Sequence, residues 1–228
     1  ESDSFHRYYE KVCLIQMTAL DRDVIIDPLV VRDLDGLGKL ISDPRHVKIF
    51  HDAGYDLACL RRDFGFEVQN LFDTMIGSRL VGERNYGLGA ILLKRFGFTA
   101  DKKFQRSDWG MRPLTQEQIH YARYDTHFLP QLRHELSQEL DRQGRLSWAV
   151  EEFARIPDTI KKLDVGPREM DPDGFWFLPG VRQMDPTTRG RVRALYLLRE
   201  RFASRLDRPA FKVFGTPLLF YLAVNPPD

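Results

Sequence analysis

Three carboxylates and one tyrosine could carry out chemistry together if the fold brought them to one place. In the stretch "QIHYARYDTHFL" (residues 118–129), Tyr121 and Asp125 stand four residues apart and would share one face of a helix. Asp56 follows an apolar run in "VKIFHDAGYD", and Glu1 precedes the apolar run "VCLIQMTA". Carboxylates from separate elements repel one another unless a cation neutralises them, and their oxygens suit Mg²⁺ or Mn²⁺. Two such ions about 4 Å apart can activate water and stabilise the leaving oxygen of a phosphodiester, while Tyr121 holds the water.

The same residues also allow a structural interpretation. Tyr121 could face the core with Asp125 in solvent, and an aspartate after a strand is often only a helix cap. His120 is an alternative to Tyr121, because it lies five residues before Asp125. Adjacent helical residues point about 100° apart, so only one of the two side chains can face the water. Spacing alone leaves these alternatives open.

The chain around these residues predicts short strands first and helices later. The apolar runs "VCLIQMTA" (12–19) and "VIIDP" (24–28) predict a β-hairpin or two adjacent strands. A third strand at 47–53 leads into a helix that Gly65 ends, and a short strand in "EVQNLFDT" leads into another helix at about 73–81. This order predicts an α/β fold, with a mixed sheet flanked by helices.

The helix around residues 118–129 has clear boundary patterns. Pro113 disfavours a helix further upstream, and Thr115 with Gln118 three residues later forms a capping-box pattern. An apolar stripe continues beyond this stretch, and Pro130 is expected to bend or break the helix shortly after the candidate carboxylate.

Composition indicates a soluble globular protein in a reducing compartment. Of 228 residues, 43% are hydrophobic and 29% are charged, no apolar run approaches the ~20 residues that span a bilayer, and no signal-peptide pattern is present. Cys13 and Cys59 lack a pairing pattern and predict buried free thiols, which favours a cytoplasmic location without membrane association. The chain begins with Glu1 rather than Met, so we expect it to start inside a longer natural protein.

The distribution of charge favours nucleic acid, whereas the formal net charge of +1 does not. Residues 182–212 contain nine Arg or Lys against three Asp or Glu, and residues 94–112 contain six against two. A solvated helix face is the alternative interpretation of each segment. The predicted phosphate contacts in these segments are Lys102, Lys103, Arg106, Arg191 and Arg193.

Together, these motifs resemble ribonuclease D, of the DEDDy group of 3′-to-5′ exonucleases with the ribonuclease H-like fold. "ESDSFHRYYEKVCLIQ" resembles the first motif from its glutamate onward, "HDAGYDLACLRRDFG" the second, and "YARYD" the third, Tyr-x-x-x-Asp. The stretches "LFDTMIGSRLVG", "NYGLGAILLKRFG" and "QRSDWGMRPLTQEQIHYA" are also similar to this family, so the resemblance runs from residue 1 to about residue 140. It assigns the catalytic positions to Glu1, Asp56, Tyr121 and Asp125 and favours Tyr121 over His120.

The resemblance implies a metal-dependent exoribonuclease that trims single-stranded RNA 3′ ends, such as those of tRNA precursors, and releases 5′-mononucleotides. Two divalent cations, Mg²⁺ or Mn²⁺, are implied as cofactors. Glu1 and Asp125 would hold the ion that activates water, Asp56 would support the second ion, and Tyr121 would orient the nucleophile. The family's first motif has an aspartate two residues before its glutamate, and this chain does not contain it. Because that aspartate would bridge both ions, we expect the chain as it stands to be impaired.

The later part of the chain predicts further domains. "RALYLLRERFASRLDRPAFKVFGTPLLFYLA" resembles the start of an HRDC domain, a helical module that follows the nuclease in ribonuclease D and also occurs in RecQ-type helicases. We predict an exonuclease domain at 1–142, a linker with an aromatic docking patch at 143–185, and a partial, all-helical HRDC-like domain at 186–228. Two rival interpretations are a DNA exonuclease of proofreading type, since the motifs do not read the 2′-hydroxyl, and a non-catalytic nucleic-acid-binding module.

Overall fold

A computed structural model describes residues 1–20, 22–163 and 169–226, which fall into two compact units. The first unit combines Glu1–Ser2 with residues 11–163, and the second combines Asp3–Glu10 with residues 169–226. Within these ranges, no helix has both the length and the apolar character that a membrane-spanning segment needs.

The strands described in the first unit form two short ladders. The predicted hairpin is present, because β1 (Ile15–Ala19) pairs antiparallel with β2 (Arg22–Ile26). β3 (Lys48–Phe50) pairs in parallel with β4 (Leu71–Asp73). Parallel and antiparallel pairing therefore both occur, as predicted for a mixed α/β fold, although these strands form two two-stranded ladders and not one continuous sheet.

Helices make up most of the first unit; they alternate with the strands up to β4, and beyond β4 the described elements of the unit are all helices. The helices are α1 (Asp35–Ser42), α2 (Ala53–Phe64), α3 (Thr74–Val81), α4 (Leu88–Phe96), α5 (Gln116–His127), α6 (Leu129–Arg142) and α7 (Leu146–Lys162).

Several helix boundaries lie where the sequence predicts them. α2 ends at Gly65, whose φ of +69° is a left-handed conformation that a residue without Cβ adopts easily. α5 begins with the predicted capping box: Thr115 accepts the Gln118 backbone N–H at 3.2 Å, and the Gln118 side chain accepts the Thr115 N–H at 2.9 Å. The single helix expected to bend or break near Pro130 is divided into α5 and α6, and Pro130 lies in the first turn of α6.

α7 packs into the core of the first unit, although it lies within residues that the sequence assigned to a linker. Ala149 and Phe153 are buried in a cluster that includes Phe72, whose ring lies 4.6 Å from that of Phe153. Ile160, near the end of α7, is buried in a second cluster with residues of α1 and α2. Each buried side chain of this size contributes roughly 1.5–3 kcal/mol. A fragment ending at residue 142 would expose both clusters, so α7 is part of the first unit.

The second unit is helical among its described residues. The predicted aromatic docking patch consists of Phe175, Trp176 and Phe177. Phe175 is buried, while Phe177 is 80% exposed. Gly174, next to this patch, approaches Tyr196 so closely that a Cβ there would lie 2.3 Å from the tyrosine hydroxyl. The patch therefore docks on a helix, as an anchor. The helices of this unit are α8 (Pro186–Leu206), α9 (Ala210–Val213) and α10 (Thr216–Val224).

Residues 3–10 belong to the second unit because α8 and its C-cap bind them. The Asp207 carboxylate accepts the backbone N–H groups of Tyr8 at 3.1 Å and Tyr9 at 3.2 Å. The Tyr8 hydroxyl donates to the buried carboxylate of Glu200 at 3.0 Å. Charge-assisted bonds of this kind contribute about 1.5–3 kcal/mol each, enough to hold a short segment remote in sequence.

Candidate active site

α5 is held on the β1–β2 hairpin by a polar network around Asp23 of β2. The Asp23 carboxylate accepts hydrogen bonds from Thr18 at 2.8 Å and Arg123 at 3.1 Å, and His127 Nδ1 lies 3.0 Å from it. Thr18 also bonds to Thr126 of α5 at 2.8 Å. Burial opposes ionisation of Asp23, but these hydrogen bonds keep its pKa below the ordinary value. The network therefore fixes the C-terminal half of α5 against the hairpin.

A second anchor holds the loop that precedes α5. Arg112 makes a two-pronged bond to Asp27, with Nε–Oδ2 at 2.6 Å and Nη2–Oδ1 at 2.8 Å, and also donates to the Trp109 carbonyl oxygen at 2.7 Å. Trp109 is fully buried, and its ring centroid lies 5.9 Å from that of Tyr121. Phe104 lies at the same centroid distance from Tyr121. Packing against these two aromatic side chains holds the Tyr121 ring.

Asp56 lies in the first turn of α2, and Asp73 fixes where that helix begins. The buried Asp73 carboxylate caps α3 by accepting the N–H groups of Met75 at 2.8 Å and Ile76 at 3.1 Å, and it also accepts the Ala53 N–H of α2 at 2.8 Å. The Asp73 carboxylate thus accepts backbone N–H groups at the N-termini of both α2 and α3, where the partial positive charge of each helix favours an anion.

Glu1 lies beside the start of β1. Its carbonyl oxygen accepts the N–H groups of Cys13 at 2.8 Å and Leu14 at 3.1 Å, and its α-amino group donates to the Leu14 carbonyl oxygen at 2.8 Å. The Glu1 side chain shares a hydrogen bond with Asp125. The first and third motifs therefore meet directly.

The four predicted catalytic residues share one electrostatic environment. Burial, followed by the charge of Glu1 and their hydrogen bond, raises the pKa of Asp125 to about 8, and the charge of Asp56 adds to this. Burial and then the charges of Asp125 and Glu1 also raise the pKa of the Tyr121 hydroxyl, which stays protonated. Burial raises the pKa of Asp56 to about 6; the Glu1 α-amino group opposes this rise and its carboxylate adds to it.

The donor chemistry of this cluster suits a hard divalent cation, but its side chains are not arranged as a chelate. Burial and repulsion raise the pKa values of these carboxyl groups although the Glu1 α-amino group lowers them, and a cation with oxygen ligands would offset the repulsion that remains. In the part of the chain that the structure describes, no group of three or more His, Cys, Asp or Glu side chains is placed to hold a metal ion. Metal binding therefore requires some of these carboxyl groups to turn toward a shared position.

Tyr121 and Asp125 line a cleft of about 680 Å³, bounded by α4, α5 and residues 98–105. Lys102 and Lys103, two of the predicted phosphate contacts, also line this cleft, whereas Arg106 lies outside its lining. Both lysines are exposed. The cleft thus combines Asp125 on α5 with exposed positive charge on residues 98–105.

His120 lines the same cleft as Tyr121, but it has different neighbours. Its ring is exposed and packs edge-on against Tyr124, with 4.8 Å between the centroids. The Tyr121 hydroxyl, in contrast, interacts with the charges of Asp125 and Glu1. The placement therefore favours Tyr121 as the residue beside the carboxylates, as the sequence interpretation proposed.

The remaining predicted phosphate contacts lie in the second unit. Arg191 donates to the Ala223 carbonyl oxygen at 3.4 Å, and the Arg193 guanidinium lies 5.9 Å from the centroid of the Phe175 ring. Both arginines are exposed. Each has an internal contact and a solvent-facing surface, and phosphate binding by either one remains a prediction.

The sequence analysis did not find the residues that position the site. The positioning contacts join residues that lie 85 to 104 positions apart in the sequence, which local periodicity cannot reveal. They involve Asp23, Asp27 and Arg112. A partial indication was present in "DVIID" (23–27), because its two aspartates lie four residues apart and so face the same side of a strand. That pattern predicts a polar partner for the hairpin, but it does not say which.

Comparison with known proteins identifies the family of this chain. A family model described as 3′-5′ exonuclease matches residues 1–141. The exosome complex exonuclease RRP6 of Saccharomyces cerevisiae is 30% identical over 242 residues, covering 100% of this chain and 33% of the yeast protein. Ribonuclease D of Gluconacetobacter diazotrophicus is 32% identical over 222 residues, covering 96% of this chain and 55% of that protein. The chain therefore spans between a third and about half of these relatives.

Solved structures show the same fold. The catalytic core of RRP6 from Trypanosoma brucei has a TM-score of 0.84 and 25% identity, covering 100% of this chain and 63% of the other. NrnC of Brucella melitensis, in a structure with bound Mg²⁺, has a TM-score of 0.63 and 26% identity, covering 82% of this chain and 86% of the other; a further structure of that protein is bound to pGG. The HRDC resemblance remains a prediction. The match over residues 1–141 and the fold shared with these nuclease structures confirm the resemblance to ribonuclease D, and this chain belongs to the 3′-5′ exonuclease family.

Proposed function

We propose that this chain forms the catalytic part of a divalent-metal-dependent exoribonuclease, which removes nucleotides one at a time from RNA 3′ ends. The observation that carries the proposal is the meeting of Glu1, Asp56 and Asp125 next to Tyr121, with Tyr121 and Asp125 lining an open cleft. Crowded carboxylates repel one another and destabilise a folded protein unless a positively charged ligand binds to them. Their arrangement is therefore best explained by a cation-dependent reaction.

The carboxylates would hold two divalent cations, Mg²⁺ or Mn²⁺. Glu1 and Asp125, which share a hydrogen bond, would bind one ion together, and Asp56 would serve the other. When bound, such ions neutralise the phosphate charge and favour ionisation of a water molecule. The binding of Mg²⁺ by NrnC of Brucella melitensis supports this choice of cation.

Tyr121 would orient the attacking water. Its hydroxyl stays protonated because its pKa is raised, so it can donate one hydrogen bond and accept another without carrying charge. Its ring is fixed by packing against Trp109 and Phe104, which leaves the hydroxyl as the functional end.

The cleft would bind the 3′-terminal nucleotides of a single strand. Lys102 and Lys103 can contact phosphates, and the half-buried Tyr124 and Phe98 rings in its lining offer stacking surfaces for bases. The Tyr124 and Phe98 rings already stack on each other at 4.6 Å, so a base could extend an existing stack. The names of the relatives, ribonuclease D and exosome complex exonuclease, favour RNA over DNA as the substrate.

The test is digestion of a single-stranded RNA oligomer labelled at its 5′ end, with a DNA oligomer of the same sequence in parallel. The enzyme is this chain with Asp-x added before Glu1, which supplies the aspartate of the family's first motif. We expect stepwise shortening from the 3′ end, release of 5′-mononucleotides, a requirement for Mg²⁺ or Mn²⁺, and faster digestion of RNA. Asp125→Asn should abolish digestion, while Asp141→Asn, which changes an exposed aspartate on α6, should leave it unchanged.

Three outcomes would contradict the proposal. Internal cleavage fragments would indicate an endonuclease, and faster digestion of DNA would favour the proofreading-type alternative. Binding of both oligomers without digestion at any Mg²⁺ or Mn²⁺ concentration would favour a non-catalytic binding module.

A further inference from the structure

We propose that Arg112 is a positioning residue for this reaction and that it acts on Tyr121 through Trp109. The inference rests on the function proposed above, because it assigns a cause to the orientation of Tyr121. Arg112 is not part of the carboxylate cluster, so its effect has to pass through the protein.

Arg112 gathers several separate parts of the first unit around one guanidinium group. Besides its two bonds to Asp27, it donates to three carbonyl oxygens: Trp109 at 2.7 Å, Met111 at 2.8 Å and Cys13 at 2.8 Å. Cys13 lies just before β1, and Asp27 just after β2, so the loop ahead of α5 is tied to both sides of the hairpin. Lysine could not reproduce this arrangement, because its ammonium group is a point charge without the planar fork.

Trp109 depends on this anchor for its orientation. The indole is fully buried, in a cluster with Cys13, Leu14 and Ala122. Its Nε1 has no hydrogen-bond partner among the residues that the structure describes, so no bond of its own fixes the ring. The position of the ring is set by packing and by the loop backbone, whose carbonyl oxygen at Trp109 is held by Arg112.

Tyr121 in turn depends on Trp109. The two rings lie 5.9 Å apart with an interplanar angle of 30°, and Tyr121 packs partly buried against the same cluster. Movement of the indole would therefore displace the phenol, and with it the hydroxyl that faces the charges of Asp125 and Glu1. A misplacement of about 1 Å in a catalytic group can cost as much as ~10²-fold in rate.

A purely structural anchor makes a different prediction from a positioning residue. If Arg112 only stabilised the fold, its replacement would lower the melting temperature and would reduce the rate equally, whether or not residue 121 carries a hydroxyl. If Arg112 acts through Tyr121, the loss should fall on kcat and should largely disappear once that hydroxyl is removed.

The experiment is a double-mutant cycle with Arg112→Lys and Tyr121→Phe in the full chain with Asp-x added before Glu1, at saturating Mg²⁺ and RNA. We expect Arg112→Lys alone to lower kcat by about 10-fold with an unchanged KM for RNA, and to lower it by less than about 2-fold in the Tyr121→Phe background. Trp109→Phe, which keeps an apolar ring at the contact, should show the same dependence on residue 121. Equal losses in the two backgrounds would overturn the inference.

Arg95→Lys provides the matched control. Arg95 also makes a two-pronged bond to a carboxylate, with Glu139 at 2.7 and 3.1 Å, and it is at least as shielded from solvent as Arg112. Its side-chain bonds to Glu83, Glu135 and Glu139 join α4 to the segment after α3 and to α6, and none of these bonds reaches Trp109 or Tyr121. We expect Arg95→Lys to lower the melting temperature as much as Arg112→Lys, without lowering kcat.

A readout that does not need activity separates this inference from the proposed function. With 3-fluorotyrosine in place of tyrosine, the ¹⁹F resonance of residue 121 can be assigned by its loss in Tyr121→Phe. We expect Arg112→Lys, but not Arg95→Lys, to shift or broaden that resonance. An unchanged resonance would refute the inference even in an active enzyme. Absence of exonuclease activity even after Asp-x is added before Glu1 would refute the proposed function, while a shifted resonance would still support the contact.

Discussion

Asp125→Asn should stabilise the metal-free protein at the same time as it removes activity. The pKa of Asp125 rises from the ordinary 3.8 to about 8, because the carboxyl is buried and lies beside Glu1. A raised carboxyl pKa means that the folded chain binds more protons than the unfolded chain between about pH 4 and pH 8. Stability is therefore lost as the pH rises through this window. Asparagine has no charge to lose, and its amide can still donate a hydrogen bond to Glu1.

The magnitude follows from the same shift. At 1.36 kcal/mol per pKa unit, the rise to about 8 sets an upper limit of roughly 5 kcal/mol at pH 8. Because Asp125 shares its hydrogen bond with Glu1 and the cluster can relax, we expect about half of this, ~2–3 kcal/mol. For a protein of this size, that corresponds to an increase of about 5–10 °C in melting temperature. At pH 5 residue 125 is neutral in the folded state whether it is aspartate or asparagine, so most of the difference in stability between the two proteins should vanish.

The assay is thermal unfolding in EDTA at pH 5 and pH 8, repeated with Mg²⁺. Added Mg²⁺ should stabilise the wild-type chain at pH 8 and should stabilise Asp125→Asn much less, because one ligand is lost. Asp27→Asn is the control with the opposite sign: Arg112 and the backbone hold the pKa of Asp27 below its ordinary value, so this change should destabilise at both pH values. A destabilised Asp125→Asn at pH 8, or an effect equal at pH 5 and pH 8, would refute the reasoning.

Three further predictions test other parts of the site. Tyr121→Phe should lower the rate by roughly 10²-fold and His120→Ala by less than twofold, measured on the RNA oligomer, and the reverse ranking would assign the water to the histidine. Lys102→Ala and Lys103→Ala should each raise KM and flatten the dependence of log KM on log salt by about 0.7, with kcat unchanged. Asp73→Ala should lower the free energy of unfolding by about 2–4 kcal/mol in a urea titration, because it leaves backbone N–H groups at two helix N-termini without an acceptor.

The local elements could be predicted from the sequence because their causes are local. The capping box at Thr115 and Gln118, the helix end at Gly65 and the break at Pro130 each depend on a few adjacent residues, and each occurs where it was predicted. The order of the predicted elements indicated the α/β class. The ribonuclease H-like fold and the meeting of the motifs came from the resemblance to a family, since spacing alone left the role of Asp125 open.

The positioning contacts could not be predicted, because they depend on tertiary structure. Nothing near Arg112 in the sequence indicates that its partner is Asp27, 85 residues away, and nothing near Asp23 indicates Arg123 or His127. α7 was assigned to a linker because residues 143–185 differ in composition from the rest, although the apolar face of α7 completes the core of the first unit.

The aspartates of the first unit show what distinguishes a functional carboxylate from a structural one. Asp23 and Asp27 accept bonds from arginine side chains, and their pKa values are lowered. Asp56 and Asp125 face Glu1 and each other, and their pKa values are raised. In the sequence all four are simply aspartates beside apolar residues. Among the described residues, the fold places an arginine beside Asp23 and beside Asp27, but none beside Asp56 or Asp125, so the second pair stays available for a ligand. The two arginine-paired aspartates hold α5 and its loop in place against the repulsion between the unpaired carboxylates.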